Sequence, residues 1–524
     1  LKNPFTSYIR LEKLLFKVYY QGIYLGKIDE KLKPEIVAPG HTTITSRSLP
    51  LKMDLDPKHL IKFIEKAAAN TNTNLGPLRQ VFASVLRMSN TKVSVRPYPD
   101  SNPPNCHSGQ QFDVFGAILN SLKGLKVKLD IHSTLKLDDF ETGLNIVQQP
   151  IPTDTDKTAL YLIGPVGAPI VQNIVDEAKL SFSIANITNV RNDGFDLSLK
   201  GSLTNAGPFD AYIEFPHGLE VTWQGKKLGQ IFLPPICSHA NVNVPNLNTD
   251  AKLKITNNNG FTDFTTYILH QKRFEWTVHS DDITVRALNI VFKKVKISKT
   301  VGFNAFNGLP GVEIQKFSIT GQTSNALKIR TDVSIPSPAT LGISLETASF
   351  KIFYKGKYQG SVHSTNLFLL AKSTTRTKLN GLITKKTGDK QLDTTGLLVS
   401  QYLQGKHQTV NVRGDSVVTK ANGNKPVSWL SKAFQTLSLD LILPGHVFKI
   451  IYGITVQDLF VTLVKQEDTW NIPISSNMTL ASFKIPYPFD LKPLKVSVDA
   501  KIKYHSVDVA ELNLPLRSVR AGVA

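Results

Sequence analysis

Leu219-Glu220-Val221-Thr222-Trp223-Gln224-Gly225-Lys226-Lys227-Leu228-Gly229 is the stretch on which the reading of this chain turns. Apolar and polar residues alternate into Trp223, the period of a strand with one buried face. A polar residue and a glycine then interrupt the alternation, and a second glycine follows four positions after the first. Gly225 permits a turn of positive φ, and Gly229 lets the returning strand start close to its neighbour. The stretch therefore predicts a β-hairpin. Pro208 stands 15 residues before Trp223.

The same arrangement occurs three more times. Pro4 leads to Tyr20-Gln21-Gly22 and Gly26, and Pro338 leads to Tyr354-Lys355-Gly356 and Gly360. Pro488 leads to Tyr504-His505-Ser506 and Ala510, a degenerate copy; the proline-to-aromatic spacing is 16 residues in all three. Agreement that close makes the chain an array of one β-rich unit. In such a unit Tyr20, Trp223 and Tyr354 have structural packing roles, and Gly22, Gly225 and Gly356 belong in hairpin turns.

A strand with one apolar face must bury it against a second sheet. The predicted fold is thus mainly β: consecutive antiparallel sandwiches joined by helical connectors. The units divide as 1–150 (without opening strands, and carrying a helical extension), 151–290, 291–445, and 446–524 for the degenerate fourth. Helical stripes fall at roughly 57–88, 112–122, 166–178 and 427–437. Ile118-Leu119-Asn120-Ser121-Leu122 and Ala433-Phe434-Gln435-Thr436-Leu437 read as one recurring connector, each feeding an alternating strand. The segment 97–104 reads as a proline-rich loop, and 384–393 as an exposed hairpin tip or mobile loop.

A chain of 524 residues with 41% apolar content has enough material for three or four packed cores. The longest apolar runs, such as Leu367-Phe368-Leu369-Leu370-Ala371, fall far short of a membrane-spanning helix. Starting at Leu1 without a signal-peptide pattern, the sequence reads as a fragment whose targeting or membrane segment lies outside it. The net charge of +20 fits nucleic acid, an anionic membrane surface, or solubility in an acidic lumen. Lysine and arginine are spread along the chain. The densest group, Lys293-Lys294-Val295-Lys296, reads as the wet face of a strand, and no recognition motif accompanies it. Nucleic acid is not an expected partner.

Cys106 and Cys237 leave open one long-range disulfide or two free thiols, and no CxxC spacing suggests a metal or redox site. Asn186-Ile187-Thr188 and Asn477-Met478-Thr479 are candidate glycosylation sites, Asn477 the better placed. The histidines at positions 41, 107, 217, 239, 446 and 505 sit in turn contexts. No HExxH, nucleophile elbow or phosphate loop occurs. Cys106-His107 lacks an evident third group, and Asp138-Asp139 and Asp281-Asp282 read as solvated turns. No catalytic, cofactor or metal residues are assigned, and an enzyme is the least favoured reading.

Asn205-Ala206-Gly207-Pro208, Asn3-Pro4 and Ser337-Pro338, each followed by the strand and the Tyr/Trp-x-Gly-x-x-x-Gly hairpin, resemble the late-embryogenesis-abundant type 2 domain. The tandem order is similar to that of fungal vacuolar proteins carrying several such domains behind a single membrane span. The resemblance covers most of the second and third units, half of the first, and the fourth with its glycines replaced. It implies immunoglobulin-like sandwiches on the luminal side of the vacuole membrane, an anchor outside this fragment, and no catalytic signature. It also implies lipid binding or transfer, with membrane lipid as the partner. The alternative is a luminal scaffold or signalling arm that engages a protein. A contiguous apolar cavity in the second or third unit, lined by Leu, Ile, Val and Phe with Lys or Arg near its mouth, separates the two.

Overall fold

The computed structural model describes residues 1–53, 56–76, 78–87, 97–99, 106, 112–155, 163–207, 209–239, 244–287, 290–387, 389–449, 451–483 and 495–518. The chain forms two compact units. The first comprises Leu1–Ile187, Asp193–Gly260 and Arg273–Phe303; the second comprises Thr188–Asn192, Phe261–Lys272 and Asn304–Ala524. Both are mainly β, with antiparallel pairing throughout the described ladders and few helices, a sandwich-type fold.

Repeat one contributes β1 (Ile9–Tyr20), β2 (Ile23–Ala38), β3 (Lys52–Met53), α1 (Pro57–Asn70), α2 (Leu78–Arg87), β4 (Pro97–Pro99), α3 (Val114–Leu122), β5 (Leu125–Leu137) and β6 (Phe140–Thr153). Its sheet runs β3-β2-β1-β5-β6, so the motif strand β1 is central. Ile9, Leu11, Leu14, Leu32 and Leu135 form a core on one face. Asp56 caps α1 by accepting from the His59 amide at 2.7 Å, and Pro57 occupies the first helical position. The helix then buries Leu60, Ile61, Phe63 and Ile64, with Phe63 edge-on to Tyr20 at 5.4 Å. This contact anchors the helical insertion to the repeat motif.

Repeat two contains α4 (Ile163–Glu177), β7 (Lys179–Arg191), β8 (Gly194–Thr204), β9 (Ala211–Glu214), β10 (Leu219–Trp223), β11 (Lys226–Phe232), β12 (Ile236–Ser238), β13 (Val244–Ile255), α5 (Asn258–His270), β14 (Arg273–Ala287) and β15 (Ile290–Asn304). Its strands pair in the order β7-β8-β13-β11-β10-β14-β15. Cys106 and Cys237 are joined in a disulfide with their Cα atoms 5.5 Å apart, which resolves the open alternative in favour of the cross-link.

Repeat three contains β16 (Glu313–Thr323), β17 (Ala326–Pro336), β18 (Leu341–Tyr354), β19 (Lys357–Ser364), β20 (Leu367–Leu369), β21 (Thr374–Thr384), α6 (Asp389–Leu403), β22 (Gln408–Thr419), β23 (Lys425–Pro426), α7 (Ser428–Phe434) and β24 (Ser438–Leu443). Repeat four contains β25 (Ile451–Val461), β26 (Val464–Gln466), β27 (Thr469–Asn471), β28 (Ile474–Phe483), β29 (Lys495–Tyr504) and β30 (Val507–Ser518). Its hairpins β25–β28 and β29–β30 form separate two-stranded sheets among the described residues.

The motif folds the same way four times. Gln21-Gly22, Gln224-Gly225, Lys355-Gly356 and His505-Ser506 all carry positive φ at both central positions of a two-residue turn, the geometry that matches strand twist. Even the degenerate copy keeps it. Each hairpin also bears a bulge beside its turn, giving the pairs Val18↔Gly26, Val221↔Gly229, Ile352↔Gly360 and Ile502↔Ala510. The second glycine is a close-approach residue. A Cβ on Gly229 or Gly360 would lie 2.2 or 1.9 Å from the carbonyl oxygen of Lys254 or Leu382 in the strand opposite.

Several expectations need correction. The segment 384–393 is not a hairpin tip: Thr384 closes β21, 385–387 have no regular structure, and Asp389 begins α6. α5 buries Phe261, Phe264, Ile268 and Leu269 at helical spacing behind Asn257, whose Oδ1 accepts from the Gly260 amide at 2.9 Å. Pro97–Pro99 form a short strand on β15, and Asp281 and Asp282 lie within β14, facing Lys296 and His217. The supposed recurring connector is not one element. α3 leads into β5, which pairs with the motif strand β1, whereas α7 leads into β24, which pairs with β22. By position in the chain α5 and α6 are the counterparts of α3. Pro208, Pro488 and His107 lie outside the described residues.

Candidate functional site

In repeat three the ladders run β16-β17-β21-β19-β18-β22-β24. This is the strand order of repeat two, as the sequence periodicity requires. The seven-stranded sheet curls until its edge strands β16 and β24 come near one another, without a ladder between them among the described pairings. A barrel-like wall with one unzipped seam results.

Inside lies an apolar cavity of about 80 Å³. Its wall draws on both edges of the sheet and the middle: Ile314 and Phe317 from β16, Val333 from β17, Val410 from β22, and Leu441 and Leu443 from β24. No polar atom is exposed to the space, although Thr331 and Gln359 contribute carbon to its wall. The helix α6 covers one end. Leu398 faces the cavity, and the Tyr402 hydroxyl donates to the Phe317 carbonyl at 3.1 Å, with the two rings edge-on at 5.1 Å. Burial raises the Tyr402 phenol above its ordinary range. Tyr402 thereby ties α6 to β16.

The register explains why repeat three is hollow. Thr222 of β10 pairs with Thr277, and the motif-equivalent Phe353 of β18 pairs with Asn411. One residue earlier on the partner strands, Trp276 of repeat two corresponds to Val410 of repeat three. Around Trp276 repeat two stacks Phe274 and Phe303, whose centroids are 5.1 Å apart, with Phe182 continuing the stack at 6.2 Å. At the place of Trp276 repeat three carries the smaller, aliphatic Val410.

Gln359 joins the cavity wall to α6 and is 1% exposed. Its carbonyl oxygen Oε1 accepts from Thr395 of α6 at 2.8 Å, and its backbone carbonyl accepts from Thr384 at 3.3 Å. Lys386, two residues further along, donates from Nζ to Thr384 Oγ1 at 2.9 Å and lies 4.8 Å from the centroid of the Tyr358 ring. Burial holds its amine below the ordinary lysine range.

The residues singled out by the sequence lie elsewhere. Tyr20, Trp223 and Tyr354 are buried within their repeats, and the turn and bulge glycines shape the hairpins. None of them lines the cavity. Leu398 and Tyr402, four residues apart and both buried, were the available signal for α6. Asn477 is exposed on β28, not in a loop, and Asn186 is half-buried on β7. Cys106 offers no free thiol, and no group of three or more His, Cys, Asp and Glu side chains converges among the described residues. A wide surface furrow in repeat one, about 810 Å³, is lined by charged groups including Glu12, Lys13, Lys31 and Glu35, so it is no counterpart of the apolar cavity. No helix among the described residues is long and apolar enough to cross a membrane.

A family model described as a protein of unknown function (DUF3712) matches residues 226–352. That segment runs from the strand after the repeat-two turn to two residues before Tyr354, one period of the array in shifted phase. No curated protein matches the chain. Among solved structures, a β-D-mannosidase from Dictyoglomus thermophilum is similar over 53% of this chain and 32% of its own, at 9% identity. Its TM-score of 0.13 carries no argument.

Proposed function

We propose that this chain is the luminal lipid-binding or lipid-transfer region of a vacuolar membrane protein of the late-embryogenesis-abundant type 2 kind, and that repeat three takes up an acyl chain. The single observation that carries the reading is the apolar cavity between the strands of repeat three. Each methylene buried there stabilises the complex by about 0.8 kcal/mol. A space of about 80 Å³ takes in part of a chain; admitting more requires β16 and β24 to separate, and no ladder between them has to break. The disulfide suits an oxidising compartment, the exposed Asn477 suits luminal glycosylation, and the net charge of +20 favours approach to anionic lipid.

The test is native mass spectrometry of the purified chain together with lipid extraction. The expected result is an acyl lipid bound to the wild type and lost in Val410→Trp, which installs the repeat-two ring in the cavity. Protein free of lipid, with no binding of an added fluorescent acyl probe, would sink the proposal. A scaffold role then becomes the better account. It has its own supporting observation, the apolar side chains of Leu459, Phe460 and Leu480 exposed on β25 and β28.

A further inference from the structure

The outward sheet faces of repeats one and three carry a combination that repeats two and four do not. In repeat three Phe353 stands opposite Tyr358 across the turn hairpin, and the rings meet edge-on at 5.8 Å. Arg413 lies 4.4 Å from the Phe353 centroid and Lys386 4.8 Å from that of Tyr358. The adjoining cross-strand row reads Lys328, Leu382, Ser361, Lys351 and Arg413 from β17 to β22. Ile352, Val362, Ile383 and Val412 beside them line the cavity, so this row faces outward. Tyr358 and Leu382 are each 39% exposed. The nearby acids are engaged: Asp415 pairs with Lys351 at 2.7 Å, and Asp440 accepts from Asn411 at 2.8 Å.

Repeat one has the same combination at the same register. Tyr19 stands opposite Tyr24 with ring centroids 5.4 Å apart, and Lys128 lies 5.6 Å from the Tyr19 centroid. Its adjoining row reads Lys52, Lys27, Lys17 and Asp130. Repeat two instead sets Thr222 opposite Lys227, with Glu220 in the row, and repeat four sets Lys503 opposite Asp508, with Lys501 in the row. There the charges neutralise one another locally. Lys227 pairs with Glu220, Lys501 with Glu511 at 3.2 Å, and Lys503 with Asp508 at 3.2 Å.

We infer that the outward faces of repeats one and three dock on an anionic lipid bilayer. The exposed ring edges and Leu382 enter the headgroup layer, where amphipathic aromatics are at home, and the lysines and arginines meet the lipid charges. Nucleic acid would need the ring faces for stacking, and a cation of the chain already lies over Phe353, Tyr358 and Tyr19. The side chains also differ between the two faces, with Tyr19 at the place of Phe353 and Lys52 at the place of Leu382. A bilayer requires only that mixture of charge and apolar surface, whereas a protein partner reads particular side chains. Docking of this kind needs no cavity. Vesicle binding reads the faces and acyl-lipid capture reads the interior of repeat three, and either can fail without the other.

Flotation of the purified chain tests this with vesicles of phosphatidylcholine alone and of phosphatidylcholine with about one-third phosphatidylserine. The chain should float with the anionic vesicles only, and rising salt should release it. Lys17→Glu combined with Lys351→Glu places on both faces the acid that repeat two carries as Glu220. That pair should weaken binding by at least about tenfold. Lys252→Glu with Lys254→Glu, the same change of charge at exposed positions of β13, should weaken it by under about threefold. A second measurement does not depend on those variants. Cys106 and Cys237 are paired, so Tyr358→Cys supplies one free thiol for an environment-sensitive dye. Its emission should shift to the blue on anionic vesicles, while the same dye at Lys254→Cys should not respond. Equal binding to neutral vesicles, equal losses in the two double variants, or an unresponsive dye at position 358 would overturn the inference. So would binding of polyuridylate or polyglutamate without binding of vesicles.

Discussion

Repeats two and three share a strand order, a turn and a bulge, yet their interiors differ. Repeat two closes around Phe274, Trp276 and Phe303, whereas repeat three carries Val410 at the position of Trp276 and keeps a void. Native cores are packed about as densely as organic crystals, so a void among aliphatic side chains forfeits contacts that the aromatic cluster retains. One strand order thus carries an aromatic cluster in repeat two and an apolar cavity in repeat three. None of the motif residues that make the repeats recognisable lines the cavity.

That contrast can be broken most forcefully from the filled side. Trp276→Val should hollow repeat two and destabilise it by about 3–4 kcal/mol, read as a lowered thermal or urea midpoint. A loss under about 1 kcal/mol would mean that the ring is not what fills the interior. Removing the covalent link comes next. Cys237→Ser should cost roughly 2–5 kcal/mol, the usual range for a native disulfide, and should lower the transition of the first compact unit while that of repeat three stays put. Equal shifts in both would show that the two do not unfold independently.

Smaller effects sharpen the comparison at the hairpins. Gly360→Ala should cost roughly 2–3 kcal/mol, because the new methyl meets the Leu382 carbonyl at 1.9 Å and the backbone must move. In repeat four Ala510 already occupies the corresponding register, and no described strand pairs with β30 besides β29. Ala510→Gly should therefore shift the unfolding midpoint little. A large effect there would imply a close strand neighbour for repeat four. The smallest change serves as a control far from either interior. Asp56→Ala removes the α1 cap and should cost about 1 kcal/mol. The His59 amide, by hydrogen bonding, holds the Asp56 carboxyl below its ordinary value in the folded chain. Its contribution is thus complete above the ordinary carboxylate pKa and is lost as pH falls from there through the lowered folded value. Denaturation of the variant should show a correspondingly weaker dependence over that acid window.

The sequence by itself determined the hairpins, their two-residue turns and the need for glycine beside the returning strand. These depend on φ and on alternation over a dozen residues, and both are local. It also determined the mainly β class, since four one-sided strands need partners. The helix α1 was legible through Asp56-Pro57 and its apolar stripe, and α5 carries the same kind of signal in Asn257 and the Phe261, Phe264, Ile268 stripe, obscured by its Asn-Asn-Gly opening, whereas the polar opening of α6 resembles a loop until the packing of Leu398 and Tyr402 is seen. Only the tertiary structure decided which repeat is hollow. Val410 and Trp276 both read as inward residues of an alternating strand, and volume in a core is set by neighbours from six other strands.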